Sequence, residues 1–415
     1  MTSRDGQMRE AMDVIYLDNN ATTAIAPEVL EEMLPYLSQF YGNPSSMYGF
    51  ADVVAKKLKE ARMRVASLLG AHPDEIIFTS CGTEADNTAI RAALASSPQK
   101  RHVVTTRVEH PAVKHLCEQL QKEGCDVTLL PVDHKGRLSL DAVREALRPD
   151  TAVLSVMWAN NETGTIFPIE EIGAIARGAG VVFHTDAVQA VGKLPVDLNR
   201  LPVDMLTLSG HKLHAPKGVA ALYMRKGTKF SPFIIGGHQE RGRRGGTENV
   251  ASIVGLGKAC ELAAANLNTE GSRVRALRDR LEQGLLGRIP RAMINGDPEN
   301  RLPNTSNISF ECVEGEAILL MLNEHGICAS SGSACTSGSL QPSHVLRAMG
   351  VPFTAVHGSI RFSLGVYSTE SEVDYVLEQM PPIIARLREL SPYWTEQTGR
   401  TVTPASNPVD DGRDA

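Results

Sequence analysis

Paired thiols are missing from this chain. Seven cysteines are present (Cys81, Cys117, Cys125, Cys260, Cys312, Cys328 and Cys335), and none forms a C-x-x-C. An odd, scattered set in 415 residues excludes a disulfide framework and argues against a zinc site built on paired thiols. It reads as the reduced thiols of a cytoplasmic protein. A basic excess is missing too: the net charge of −6 excludes a nucleic-acid binder held by phosphates. No uninterrupted apolar run has the length of a bilayer span, so no membrane partner is expected. The first ten residues lack an apolar core, so no secretory signal is expected either. No internal repeat is visible. What remains is ordinary for a globular protein, with 42% hydrophobic and 22% charged residues, and the length favours two domains.

Between about residues 74 and 225 apolar runs alternate with amphipathic ones. Strands are expected at 75–79, 102–106, 127–132, 152–158, 181–184, 205–208 and 219–224. Helices are expected at 83–95, 112–122 and 169–177. Such alternation builds a mostly parallel sheet covered on both faces. Past residue 250 helices at 250–265, 274–288 and 315–325 mix with strands at 307–310 and 359–362. A capping box at Thr369–Glu372 opens a further helix through Leu387. The expected division is an N-terminal segment, 1–26, packing with the smaller domain; a large α/β domain, 27–265; a small α+β domain, 266–396, carrying the Cys335 loop; and a disordered tail, 397–415.

Ligands of such sheets bind beyond the carboxyl ends of the strands. Here that edge collects Gly82-Thr83-Glu84, Glu109-His110, Asn160-Asn161-Glu162, Asp186 and Lys212. An apolar run ending in Asp186 and another ending in Ser209-Gly210-His211-Lys212 suit pyridoxal phosphate. The lysine amine condenses with its aldehyde as a Schiff base, and the aspartate keeps the pyridine nitrogen protonated. Burial and a cationic neighbour such as His211 would ready the amine.

Gly82 and Thr83 open a helix after a strand, a phosphate cradle beside Lys212, although Thr83 and Asp86 also read as plain caps. His110, before Pro111, can stack on a flat ring and move protons. His211 and His214 lack a third ligand, so no metal is expected there. The glycine-rich loop from Gly242 to Glu248, with Arg243 and Arg244, suits either phosphate or a solvated turn. The run from Ala329 to Ser339 is almost wholly Ser, Gly, Ala and Thr around the thiol of Cys335. It is too polar to bury a core, and a nucleophile on a mobile loop is its better reading. Arg361, on a short apolar strand, needs an anion: a substrate carboxylate or an internal acid.

Together these residues resemble the cysteine desulfurases, group V of the pyridoxal-phosphate aminotransferase fold (fold type I), and most closely their nitrogen-fixation, NifS-like branch. The resemblance rests on YLDNNATT (16–23), YGNPSS (41–46), TSCGTE (79–84), VEHPA (108–112), ANNETG (159–164), HTDAVQ (184–189), SGHK (209–212) and SSGSACT (330–336). It implies pyridoxal 5'-phosphate on Lys212, with Asp186 on the pyridine nitrogen, Gln189 on the ring oxygen and His110 stacked on the ring. Gly82, Thr83, Ser209 and His211 would hold the phosphate, joined by Thr247 from the other subunit of a homodimer. Asn161 and Arg361 would hold the carboxylate of L-cysteine. Cys335 would take the sulfur as a persulfide, leaving L-alanine, and pass it to an iron–sulfur scaffold or another acceptor protein for nitrogenase maturation. No metal is implied at the cofactor, although Cys335 could ligate a nascent iron–sulfur cluster. The alternatives are another pyridoxal-phosphate lyase or aminotransferase, which has no use for Cys335, and a silent scaffold, which has no use for Lys212.

Overall fold

The computed structural model describes residues 14–331, 342–395 and 400–401. Cys335 and most of its loop lie outside the described residues, as do the first 13 residues and most of the tail. Of the tail, Arg400–Thr401 pairs with Trp394–Thr395.

The chain divides into two units. The larger comprises Asn19–Arg273 and Gly296–Asn304. Its seven-stranded sheet runs in the order Ile76–Thr79, Ala220–Met224, Met205–Ser209, Val182–Asp186, Thr151–Ser155, His102–Thr106, Asp126–Leu130. Ala220–Met224 is antiparallel to both neighbours, and the remaining neighbour pairs are parallel. Met205–Ser209, His102–Thr106 and Thr151–Ser155 are buried at every residue, as strands covered on both faces must be. Helices Gly82–Ala95 and Pro111–Lys122 set Ala85, Ala89, Ile90, Val113 and Leu116 against Ile77, Val103, Val153 and Leu222. Burying each large aliphatic side chain there stabilises by about 1.5–3 kcal/mol.

The smaller unit comprises residues up to Asp18, Val274–Asn295 and the chain from Thr305. Its antiparallel sheet runs Ser330–Ser331, Ser359–Ser363, Thr305–Phe310, Ala292–Asn295. Helices Gly315–Glu324 and Glu370–Leu390 bury Ile318, Leu322, Val373, Val376, Leu377 and Met380 with Ile308, Phe310, Ile360 and Phe362. The capping box stands: Glu372 N–H donates to Thr369 Oγ1 at 3.3 Å, and Thr369 N–H donates to Glu372 Oε2 at 2.7 Å. Gly358 tolerates no side chain, since a Cβ there would lie 2.1 Å from the Phe310 carbonyl oxygen. Ile15–Tyr16 pairs in parallel with Ile327–Cys328.

Three expectations are revised. The unit boundaries fall after Asp18 and Arg273 rather than after residues 26 and 265, and 296–304 returns to the larger unit. The backbone from Asn20 to Ala26 bonds around Lys212 and His214, which assigns it there. The helices expected at 250–265 and 274–288 are one 39-residue helix, Val250–Arg288. The polar stretch between them contains no proline, and Gly271 alone costs a helix only about 1 kcal/mol. The first twenty residues of this helix, Val250–Thr269, are long and apolar enough by length and composition to cross a bilayer. Val254, Leu256, Ala259 and Cys260 are nevertheless buried within the protein, as in a core helix. Helix Gly49–Leu69 was not anticipated, yet Ala51, Val54, Leu58, Ala61, Val65 and Leu69 recur at helical spacing and Gly70 ends it at φ 58°.

Candidate active site

Every strand-end residue expected at the sheet edge, from Gly82 to Lys212, belongs to the larger unit. Lys212 closes a single helical turn, Gly210–Lys212, directly after strand Met205–Ser209. Its Nζ donates to the carbonyl oxygens of Asn20 and Ala21, both at 2.6 Å. The same Asn20 carbonyl accepts Gln189 Nε2 at 3.0 Å, and Gln189 Oε1 accepts Lys193 Nζ at 2.8 Å. Asn20 also donates from Nδ2 to the Asn161 carbonyl at 3.1 Å and accepts Asn304 Nδ2 on Oδ1 at 3.0 Å. Asn20 is therefore the hub that joins Lys212, Gln189 and Asn161, a role the sequence did not disclose because it runs largely through backbone oxygens. The neighbouring Asn160 shapes the turn: its Oδ1 accepts the N–H groups of Glu162 and Thr163.

Asp186 ends its strand and is buried, with Oδ1 accepting Val188 N–H at 2.9 Å. Burial pushes its carboxyl above the usual range, against the pull of His110 and Lys212. Two further buried acids feel its charge. Burial and the charge of Asp186 push Asp86 well up. Burial pushes Glu109 up to about 8, although its Oε1 accepts Thr106 Oγ1 and Met157 N–H. His184 spans the same layer between Ser155 Oγ at 2.9 Å and Thr207 Oγ1 at 3.1 Å, and burial pushes it down to about 3. Stacked acids that must share few charges are the surroundings in which a cation bound at Asp186 is favoured.

His110 caps helix Pro111–Lys122, its Nδ1 accepting Ala112 N–H at 3.2 Å. Burial lowers its pKa, so the ring is neutral with Nε2 carrying the proton. His211 departs from expectation. Burial, then Lys212, push it down to about 4, so it is no cationic neighbour for the lysine. Its Nδ1 lies 3.2 Å from Thr22 Oγ1. Among the described residues no cluster of His, Cys, Asp or Glu could hold a metal.

The cap of helix Gly82–Ala95 is Cys81, whose Sγ accepts Glu84 N–H at 3.4 Å, and not Thr83 or Asp86. Gly82 and Thr83 thus sit in the first turn, whose N–H groups have no preceding carbonyl to meet. A Cβ on Gly82 would lie 3.2 Å from Val188 Cγ2 and 3.6 Å from Ser209 Cβ. Ser209 Oγ is buried and has no hydrogen-bond partner among the described residues. An orphaned hydroxyl facing a glycine at a helix start is a cradle for phosphate oxygens, and the donor set fits pyridoxal phosphate.

The basic loop is spent internally. Arg244 grips Glu84 with Nε at 2.9 Å and Nη2 at 3.1 Å, and Arg241 and Arg243 bond to Asp74. Thr247 is exposed. In the smaller unit Arg361 meets an internal acid, Asp18.

A family model described as Aminotransferase class-V matches residues 15–376. Cysteine desulfurase 2 of Trichormus variabilis is 62% identical over 93% of this chain and 97% of its own length. Cysteine desulfurase NifS of Azotobacter vinelandii is 58% identical over 94% of this chain and 98% of its own. The chain belongs to the cysteine desulfurases of the class-V aminotransferase family. A solved NifS-like protein superposes with a TM-score of 0.85 at 40% identity, covering 90% of this chain and all of that one. This cysteine desulfurase is accordingly an α/β enzyme of the pyridoxal-phosphate transferase fold, and its cofactor is pyridoxal phosphate.

Proposed function

We propose that this protein converts L-cysteine to L-alanine, carries the sulfur on Cys335 as a persulfide and delivers it to an iron–sulfur scaffold or other acceptor protein, in nitrogenase maturation. The observation that carries the reading is Lys212, its amine held by two carbonyls, on a sheet edge with buried Asp186 and the orphaned Ser209 hydroxyl. Bound pyridoxal phosphate supplies an electron sink for the pair released at the substrate Cα. Gly82, Thr83, Ser209 and His211 would hold its phosphate, and Asp186 would keep a proton on its ring nitrogen. Gln189, its amide turned by Lys193 so that Nε2 donates, serves the ring oxygen. Neutral His110 carries a proton at Nε2. Lys212 would anchor the cofactor, and its amine is the group that would move the Cα proton. The resemblance assigns the substrate carboxylate to Asn161 and Arg361. The Cys335 thiolate then attacks the substrate sulfur: an S–S bond forms, the Cβ–S bond breaks, and its electron pair is protonated as the methyl of alanine.

The protein acts as a homodimer in this reading. Leu30, Leu34, Leu37, Tyr41, Met47 and Tyr48 form an exposed apolar group on the larger unit, which supports burial against a second copy, and exposed Thr247 is available to reach the partner's phosphate. The six described cysteines are all free, which supports a reducing, cytoplasmic setting.

The test is Cys335→Ser. It should load cofactor and bind cysteine, seen as a shift in the visible band, yet release no alanine. Mass spectrometry after limited cysteine without reductant should find the added sulfur on Cys335. Burial and Asp18 push the Cys328 thiol up, so Cys328→Ser should keep activity within about twofold. Sulfur on Cys328 or Cys81, or full alanine production by Cys335→Ser, would overturn the mechanism.

A further inference from the structure

Arg361 lies on strand Ser359–Ser363 with only 8% of its surface exposed. Its Nη2 donates to Asp18 Oδ1 at 2.7 Å. The same oxygen accepts Ser330 Oγ at 2.9 Å, and Ser330 is the register partner of Arg361. The main chain beside Asp18 is clamped: Leu17 N–H donates to the Cys328 carbonyl at 2.9 Å, and the Leu17 carbonyl accepts Ser363 N–H at 2.8 Å. Asp18 itself bridges to Ser363. The carboxylate therefore stands at a junction of three chain segments with little freedom of its own.

A buried ion pair stabilises a fold little better than apolar side chains of the same volume, so stability alone is a weak reason for this one. A guanidinium is a planar fork of five donors, and a firm bond at Nη2 restricts its plane. Rotation of a long arginine side chain would otherwise have to be frozen by each arriving substrate. We propose that Asp18 is a positioning residue: it holds the Arg361 guanidinium in the orientation that receives the α-carboxylate of L-cysteine. This rests on the reading of Arg361 as the carboxylate site and extends it to a residue that no strand-end or phosphate-loop pattern discloses.

The experiment compares Asp18→Ala, Asp18→Asn and Arg361→Lys in the cofactor-loaded, full-length protein. Steady-state kinetics are read alongside L-alanine binding, followed by the change in the visible band. Losing a hydrogen bond to a charged group is worth roughly ten- to a hundredfold in binding. Asp18→Ala should raise KM for cysteine and weaken alanine binding by about that factor, with kcat within about twofold. Asp18→Asn keeps an acceptor oxygen, so its effect should be smaller and of the same sign. Arg361→Lys loses the fork and should weaken both ligands. If Arg361→Lys changes neither KM nor alanine affinity, the reading of Arg361 fails and the proposal with it. If Arg361→Lys weakens both while both Asp18 variants leave them unchanged, or lower kcat alone, the proposal fails and the reading of Arg361 survives. Should Asp18→Ala not fold, Asp18→Asn decides between the same outcomes.

Discussion

Buried charge is handled in opposite ways at two places, one in each unit. In the larger, Asp186, Asp86 and Glu109 are stacked with neutral His184, and burial pushes all three carboxyls upward. In the smaller, buried Arg361 already has its counterion in Asp18 at 2.7 Å. The first arrangement favours a cation at Asp186, as the proposed cofactor would supply. The second is complete within the chain. Buried acids without a counterion favour a ligand of opposite charge, whereas a paired guanidinium is already held in place.

Neutralising each acid should separate the two most sharply. Asp186→Asn should slow turnover on the order of 10²–10³-fold, because an amide cannot stabilise a ring cation. In cofactor-free protein near pH 8 it should raise the melting temperature, since a buried carboxylate no longer needs to be ionised. Asp18→Asn should do the reverse to stability, lowering it by roughly 1–3 kcal/mol by leaving a buried guanidinium without its charged acceptor. The same direction of change in both variants, read by thermal unfolding, would erase the distinction.

Ser209→Ala probes whether the larger site is incomplete. The hydroxyl has no partner among the described residues, so its removal should leave the cofactor-free melting temperature almost unchanged. Affinity for pyridoxal phosphate, measured by titrating the apoprotein, should fall about five- to tenfold, the worth of one hydrogen bond to a charged oxygen. Unchanged affinity would remove Ser209 from the cradle.

A pH slope tests one of the buried acids by itself. Glu109 has its folded pKa raised to about 8, so the folded state binds a proton that the unfolded state has released. Its contribution is fully present below the unfolded carboxyl value and is lost as pH rises through about 8. Glu109→Gln keeps an oxygen for Thr106 and Met157 and cannot ionise. Its melting temperature should gain on the parent protein as pH is raised from 5 to 8. Parallel curves would show that Glu109 does not titrate in that window.

Much of this was legible in the residues. Lys212 and Asp186 each close an apolar run, and a fully buried parallel strand is an apolar run whose ligand-facing end must turn polar. Gly82 and Thr83 were readable from position as the start of a helix after a strand, where the structure has them. The cap was not, because Cys81 Sγ takes the place that a Thr or Asp side chain ordinarily fills. The arginines after Gly242 looked available for phosphate, and only their pairing with Glu84 and Asp74, some 160 residues away, shows otherwise. The charge of His211 was misjudged for the same reason: burial sets it, and burial is a property of the packed chain.

By itself the sequence determined the α/β alternation, the polar strand ends and the family, because periodicity and end chemistry are local. Only the tertiary structure decided that Asn20 holds Lys212, that one helix runs from Val250 to Arg288, and that Arg361 answers to Asp18. Those facts depend on backbone oxygens, burial and partners hundreds of residues apart, and no pattern along the chain encodes them singly.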